Sequence, residues 1–328
     1  MMTVAKELFK FIKKHESHKA VYDFINPILT DVSLRDGIQA LDANSMPTQK
    51  KIDMFHEILK FGGIKNIEMG SLVSHKHYPI MKDVQTIHNY ATQYLDNREP
   101  TPEMMLASES NAVETPDLYV LVPNKEKLIN GMKANIMNFS FITSVSNSFQ
   151  KKNTNKTLNE NNIELINMME FLKHAKYPCP YKTKLYISCV DHCPIEGKIN
   201  NDAIVEEIII HSFYEYNEIC LSDTCGKLTY ENYKNIVDQC LDEFNLNPDC
   251  LSVHLHVNGG NLLNVENIIR YSLNRKIHRF DISMLNSGGC TMTIQNNELN
   301  RNLDYDLFFS ILYKYVDESV QKLEKMGK

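Results

Sequence analysis

Short runs of β-forming residues alternate with segments of helical periodicity along most of the chain. Eight such runs occur: one ending at Val32, then 64–69, 118–122, 138–143, 184–189, 218–221, 251–257 and 279–284. Segments with helical periodicity lie between or after them, at 48–61, 125–132, 158–173, 201–214, 230–244 and 264–273. Eight strands, each followed by a helix, favour an α/β fold of the (β/α)8 TIM barrel type over an open doubly wound sheet.

The alternation also predicts the domain organisation. Residues 1–20 are expected to form an N-terminal capping helix, and residues 21–328 a single barrel domain. The polar stretch 150–162 is expected to be a loop after the fourth strand, and 286–302 an irregular segment after the eighth. Both would lie at the end of the barrel where the strands finish, which is where barrel enzymes build their active sites.

Charge and hydropathy exclude several classes of partner. The net charge of −6 comes from 35 basic and 41 acidic residues that are interleaved along the chain. Such a chain lacks the positive field that nucleic-acid binding requires. We find no apolar run of the roughly 18 residues that a membrane span needs, and no secretory signal at the start. We therefore expect neither nucleic acid nor a membrane as a partner.

The first residues are amphipathic, and a mitochondrial presequence is the alternative to a capping helix. Such presequences are Arg-rich and poor in acidic residues. This segment has no Arg and contains Glu7 and Glu16, so we predict a structural helix and a cytoplasmic protein. The eight cysteines form no Cys-x-x-Cys pair and are expected to be reduced thiols, seven of them packing residues.

Polar residues that could carry chemistry fall at the predicted strand ends. Arg35 and Asp36 follow the first strand, where a simple ion pair is the ordinary explanation of such residues taken alone. His254 and His256 are two residues apart, which places both imidazoles on one face of a strand and suits two ligands of one ion. Two polar side chains at a strand end remain the alternative.

Three further groups occupy equivalent positions. Glu68 ends the second strand and Asp223 follows the sixth, and each carboxylate is also compatible with a helix cap. Cys290 follows Gly288 and Gly289 in the long stretch after the eighth strand. Its surroundings are polar, so exposure is expected, and both a chemical role and a packing role stay open.

These residues, taken together and in order, resemble the successive motifs of the 3-hydroxy-3-methylglutaryl-CoA lyase family within the metallolyase superfamily. The resemblance extends from about Phe24 past Asn302, and its most specific part is Cys193-Pro-Ile-Glu-Gly-Lys-Ile199. The motifs that carry it are Arg35-Asp-Gly-Ile-Gln39, Ile67-Glu68, Ser71-Leu-Val-Ser74, Ser188-Cys189, Ser222-Asp-Thr224, His254-Leu-His256 and Gly288-Gly-Cys290.

The resemblance implies a metal site and a set of catalytic residues. Asp36, His254, His256 and an Asn after Cys290 would hold Mg²⁺ or Mn²⁺; Asn302 is preferred over Asn300 and Asn297. Arg35 would stabilise the enolate oxygen and Gln39 would touch the substrate. Glu68 and Asp223 would organise the site, and Cys290 would exchange a proton with the product from a lid loop.

The implied reaction is the cleavage of an acyl-CoA such as 3-hydroxy-3-methylglutaryl-CoA to acetyl-CoA and a 3-oxo acid, acetoacetate. A homodimer is the hypothesis for the oligomeric state. The chain departs from the family at Val257, where an acidic residue is usual, after Gln39, and in the length of the loop after Cys290. Two alternatives therefore stay open: a related aldolase or Claisen-type synthase, and a barrel that binds metal without turnover.

Overall fold

The eight predicted β-rich runs form the strands of a closed parallel barrel in the computed structural model, which describes residues 2–98, 115–175, 181–289, 293–294 and 299–326. The barrel strands are β1 Ile28–Asp31, β2 Asn66–Ser71, β3 Asp117–Leu121, β4 Asn138–Ser144, β5 Lys182–Ser188, β8 Glu218–Ser222, β9 Leu251–His254 and β11 Arg279–Ile282. Each pairs with its neighbour in sequence, and β1 closes the barrel by pairing with both β2 and β11. The predicted (β/α)8 barrel is confirmed.

Helices follow the barrel strands, and two short ladders lie outside the barrel. The helices are α1 Thr3–Lys14, α2 Glu16–Ile25, α3 Thr48–Phe61, α4 Val84–Asp96, α5 Lys125–Lys133, α6 Asn147–Thr154, α7 Leu158–Lys173, α8 Asn201–Ser212, α9 Tyr230–Asp238, α10 Leu262–Asn274 and α11 Tyr305–Met326. The ladders join β6 His192–Cys193 with β7 Gly197–Lys198, and β10 His256–Val257 with β12 Arg301–Asn302. None of the helices in the described ranges has the length and apolar character of a membrane span.

The stretch 150–162, predicted to be a loop, is mostly helical, so that prediction was wrong. Ser146 accepts a hydrogen bond from the Phe149 N–H and caps the start of α6, and Asn155 ends the helix in the left-handed region at φ 60°. Thr157 and Glu160 then form a capping box that starts α7. Polar caps at closely spaced helix ends produce a composition that resembles a loop.

The predicted strand over 251–257 is interrupted. β9 ends at His254, and His256 begins a ladder with β12 instead of continuing along the barrel. The interruption falls between His254 and His256, which both line the same cavity. It also brings Asn302 directly opposite His256 in register.

Two helices, rather than the single one predicted over the first residues, precede β1. The backbone at His15 is extended and separates α1 from α2. Phe9 of α1 stacks on Phe61 at the end of α3, with ring centroids 5.6 Å apart, and meets Phe309 of α11 edge-on. These aromatic contacts fix α1 across the two helices that flank β1.

Gly70 is the point at which β2 bends away from β3. Its φ is +140°, and a Cβ there would lie 2.4 Å from Cγ2 of Val84, while the register with β3 shifts between Glu68 and Ser71. We expect Gly70→Ala to lower the free energy of unfolding by about 3 kcal/mol, because backbone strain and overpacking add. Urea denaturation measures the loss.

Gly62 provides the matched control for that substitution. Its φ is +78°, yet a Cβ there would meet no atom within 4 Å. At φ +78° and ψ 161°, Gly62→Ala should therefore cost only backbone strain, about 2 kcal/mol or less, without the added overpacking expected at position 70. Equal losses for the two variants would show that the contact with Val84 does not restrict position 70.

Candidate active site

Arg35 and Asp36 lie on a buried π-helical turn, Ser33–Gly37, directly after β1. The Arg35 guanidinium donates from Nε to Oε2 of Glu68 at 2.6 Å and from Nη1 to Oδ1 of Asp36 at 2.7 Å. Burial alone would lower the pKa of Arg35, but the two carboxylates raise it well above its ordinary value. The guanidinium therefore stays charged and is held at a fixed angle by two acceptors.

Glu68 and Tyr186 both contact this guanidinium and also contact each other. The Tyr186 hydroxyl donates to the same Glu68 Oε2 at 3.1 Å, and its ring lies 4.8 Å from the guanidinium carbon of Arg35. Burial is the main reason why the pKa of Tyr186 is well above its ordinary value. Its hydroxyl is therefore a donor at neutral pH.

Asp36, His254 and His256 form a group whose ligand atoms all lie within 4.8 Å of one another. Oδ2 of Asp36 is 3.9 Å from Nε2 of His254 and 3.5 Å from Nε2 of His256. The Nδ1 of His256 donates to the carbonyl oxygen of Asp223 at 2.8 Å, so the Nε2 lone pair faces the group. Burial alone would raise the pKa of Asp36, yet Arg35 and His256 hold it well below its ordinary value.

Asn302 lies opposite His256 in the ladder between β10 and β12. Its side chain is buried, and its Nδ2 donates to the carbonyl of Ser287 at 3.1 Å. Asn300, the first rival, donates its amide to the carbonyl of Cys225 at 2.8 Å and so faces another loop. Asn297, the second rival, lies outside the described residues.

Unsatisfied polar atoms and excess charge test whether these residues fit a cation. Of the candidate ligand atoms, Nε2 of His256 and Oδ1 of Asn302 are among the described buried atoms without a hydrogen-bond partner, which is costly unless something binds there. Two buried cations, Arg35 and Lys184, pair with the buried carboxylates Asp36, Glu68, Glu218 and Asp281. Arg279 also pairs with Glu218, so one negative charge stays in excess, and this charge together with the nitrogen and oxygen ligands fits a cation.

Asp223 contacts residues of the site but does not itself line the cavity. Its carboxylate accepts the Lys227 N–H at 3.0 Å and holds the following turn, while its carbonyl orients His256. Burial raises the pKa of Asp223 to about 6. Its contacts are those of a residue that acts through His256.

The cavity at this end of the barrel is lined by both polar and apolar side chains. Arg35, Asp36, Gln39, His254 and His256 all face it, so five of the residues predicted from the sequence meet in one place. Glu68, Asp223 and Asn302 are absent from its described lining. The apolar part of the wall consists of Val73, Met81, Leu121, Ile142 and Phe149.

Cys290 lies outside the described residues, and its predicted role stays a prediction. The two glycines before it are described. The Gly289 N–H donates to Oδ2 of Asp36 at 3.1 Å, and the Gly288 Cα lies against the Asn302 amide. Of the other cysteines, Cys189, Cys193, Cys220, Cys225, Cys240 and Cys250 are free thiols in the described part of the chain.

Sequence reasoning missed three buried residues that adjoin the site. Tyr186 touches Arg35 and Glu68, as described above, and Asp281 contacts His254 and Lys184. Lys184 lies within β5 beside Leu185, and Asp281 lies within β11 between Phe280 and Ile282. A charge at such a position is a usable signal, because a buried charge requires a partner.

Comparison with known proteins gives one family and a consistent set of relatives. The model of the HMGL-like family matches residues 26–264. The rat protein named "3-hydroxy-3-methylglutaryl-CoA lyase, cytoplasmic" is 28% identical over 264 residues, covering 80% of this chain and 68% of the relative. The human protein of the same name is 27% identical over 264 residues, and the match spans only 63% of its length.

A solved structure shares the fold over nearly its whole length. It is an HMG-CoA lyase from Acinetobacter baumannii in complex with coenzyme A and 3-methylmalate. The two chains superpose with a TM-score of 0.69 at 22% sequence identity, covering 89% of this chain and 90% of the other. At this identity the comparison concerns the fold.

Proposed function

The chain belongs to the HMGL-like family, and we propose that it is a divalent-metal-dependent carbon-carbon lyase. Its substrate would be 3-hydroxy-3-methylglutaryl-CoA or a close 3-hydroxyacyl-CoA, and its products acetyl-CoA and a 3-oxo acid such as acetoacetate. The observation that carries the proposal is the buried group of Asp36, His254 and His256 beside a doubly held Arg35. The names of the relatives support the substrate class.

The cation would be held by Asp36, His254, His256 and Asn302, with Mg²⁺ or Mn²⁺ as the expected ion. When bound, such an ion withdraws electrons from oxygen ligands and stabilises negative charge on them. The unpartnered Nε2 of His256 and Oδ1 of Asn302 support this ligand set. Asn302 is the fourth ligand in this proposal, because it lies opposite His256 in the ladder and its buried Oδ1 has no hydrogen-bond partner.

Arg35 would stabilise the charge that develops during bond cleavage. In the reaction the hydroxyl of the substrate loses its proton and becomes a ketone, the carbon-carbon bond breaks, and its electron pair becomes the enolate of the thioester. A guanidinium fixed by Glu68 and Asp36 needs no reorientation when that charge appears. Glu68 and Asp223 act through Arg35 and His256, and Gln39 contacts the substrate from the cavity wall.

The enolate must then take up a proton on carbon to give acetyl-CoA. Cys290 is the proposed donor, because it directly follows Gly289, whose N–H contacts Asp36. A thiol ionises closer to neutral pH than a hydroxyl, which suits proton exchange at that point. A cytoplasmic location and a homodimer also stay predictions of this proposal.

Acetyl-CoA release in the presence and absence of metal tests the proposal. Purified protein with Mg²⁺ should convert 3-hydroxy-3-methylglutaryl-CoA to equal amounts of acetyl-CoA and acetoacetate. Removal of metal by a chelator should lower the rate at least about a hundredfold, and Mg²⁺ or Mn²⁺ should restore it. Product quantification by chromatography and mass spectrometry gives both numbers.

The outcomes separate the proposal from its alternatives. Release of acetyl-CoA from another 3-hydroxyacyl-CoA only, or condensation of acetyl-CoA with a 2-oxo acid, would indicate a related lyase or a Claisen-type synthase. Metal binding without turnover on any acyl-CoA tested would indicate a binding protein. Undiminished turnover after chelation would contradict the metal site.

A further inference from the structure

A buried carboxylate connects His254 to a buried lysine on the far side of the barrel interior. Oδ2 of Asp281, on β11, lies 3.2 Å from Nδ1 of His254 on β9. Oδ1 of the same carboxylate lies 2.5 Å from Nζ of Lys184 on β5. All three side chains are buried, so these contacts are shielded from water.

Lys184 contacts a second carboxylate that leads away from the site. Oε1 of Glu218, on β8, is 2.6 Å from the same Nζ. The other Glu218 oxygen lies 3.4 Å from Nη1 of Arg279, the first residue of β11. Glu218 and Asp281 therefore share one ammonium at nearly equal distance, and the contact with His254 is made by Asp281.

The contact with Asp281 determines which nitrogen of His254 can bind an ion. A carboxylate beside Nδ1 favours the tautomer that carries its proton there, and this leaves the lone pair on Nε2. That Nε2 faces Oδ2 of Asp36 at 3.9 Å. Lys184 holds the other Asp281 oxygen, so the carboxylate cannot rotate away from the imidazole.

We propose that Asp281 and Lys184 are positioning residues that fix the tautomer and the ring orientation of His254. The inference rests on the proposed function, in which His254 holds a divalent cation. Removing an outer partner of a metal-bound histidine commonly lowers metal affinity 10- to 100-fold. Both Asp281 and Glu218 pair with Lys184, but Asp281 is the one that contacts His254. Comparing the two carboxylates therefore separates the positioning of His254 from charge pairing with Lys184.

The first experiment compares Asp281→Asn with Glu218→Gln. Both remove one buried negative charge from Lys184 and keep the shape of the side chain. Mn²⁺ affinity is measured from the electron paramagnetic resonance signal of free Mn²⁺. We expect Asp281→Asn to weaken binding about 10- to 100-fold and Glu218→Gln to stay within about threefold, and similar losses in both would overturn the positioning role.

The second experiment reads the His254 tautomer directly in metal-free protein. Two-bond nitrogen-proton correlation spectra of protein with ¹⁵N-labelled histidine distinguish the two tautomers, and His254→Gln assigns the signal. We expect the Nδ1–H form in the wild type and in Glu218→Gln, and a mixture of both forms in Asp281→Asn. An unchanged spectrum in Asp281→Asn would contradict the proposal.

The contribution of Lys184 is tested by Lys184→Met. We expect a roughly tenfold loss of Mn²⁺ affinity, because Asp281 loses its second contact. Should this variant fail to fold, the double variant with Glu218→Gln, which removes one of the two carboxylates that lose Lys184, is measured instead. Wild-type affinity in whichever variant folds would remove Lys184 from the proposal.

Failure of the proposed function is recognisable separately. A wild-type protein that binds no Mn²⁺ would contradict the metal-dependent lyase. The tautomer spectra are recorded without metal, so they still decide whether Asp281 positions His254. Binding by the wild type combined with equal affinities in all variants would contradict the positioning role alone.

Discussion

Replacing His256 with alanine should lower Mn²⁺ affinity by at least about a hundredfold, since even outer partners of metal-bound histidines are worth 10- to 100-fold. Turnover should fall in proportion at limiting metal. The reason is that His256 offers an unpartnered Nε2 to the group while its Nδ1 is fixed on the Asp223 carbonyl. Calorimetric titration with Mn²⁺ and the acetyl-CoA assay measure the two effects.

His88 provides the control for burial. Its exposed fraction is 4%, the same as that of His256, but it lies on α4 and not in the cavity wall. His88→Ala should lower the free energy of unfolding by about 1 to 3 kcal/mol and leave Mn²⁺ affinity unchanged. If His256→Ala keeps wild-type affinity, or if both variants lose it equally, His256 is not a ligand.

Replacing Arg35 with lysine should reduce kcat about a thousandfold while the protein still folds and binds metal. A single ammonium cannot donate to Glu68 and Asp36 in the geometry of the guanidinium, and it loses the contact with the Tyr186 ring. Loss of one fixed donor to a developing oxyanion typically costs 10²- to 10³-fold in kcat. Steady-state kinetics with saturating Mg²⁺ measure the loss.

Arg270→Lys is the matched control. Arg270 lies on α10, pairs with Glu318 and Glu266 at the surface, and is not among the residues that line the cavity. The substitution should leave kcat and KM within about twofold, because surface pairs contribute little. A kcat for Arg35→Lys within tenfold of the wild type would show that Arg35 does not stabilise the reacting oxygen.

The barrel was predictable because its strands are short apolar runs bounded by helical segments. Parallel strands covered by helices are buried on both faces, and their composition alone marks them. Local capping explains the main error. Ser146 caps the start of α6 and Asn155 ends it. Polar residues of this kind are also typical of loops, so the linear sequence does not distinguish the two.

The site was partly predictable for a different reason. In a (β/α)8 barrel all strand ends meet at one mouth, so the order of motifs along the chain is enough to bring Asp36, His254 and His256 together. Asp281 could not be placed in this way. Its partner Lys184 is 97 residues away, and which side chains meet inside a barrel depends on strand tilt and register.

Asn302 pairs with His256 in the ladder between β10 and β12, and the Gly289 N–H donates a hydrogen bond to Asp36. The two ends of the segment between these anchors are therefore held in place by groups of the barrel. The entropy cost of closing such a loop grows only with the logarithm of its length, by about 0.6 kcal/mol for each doubling. A change in the number of residues between Cys290 and Asn302 is therefore expected to cost little stability, as long as both anchors are kept.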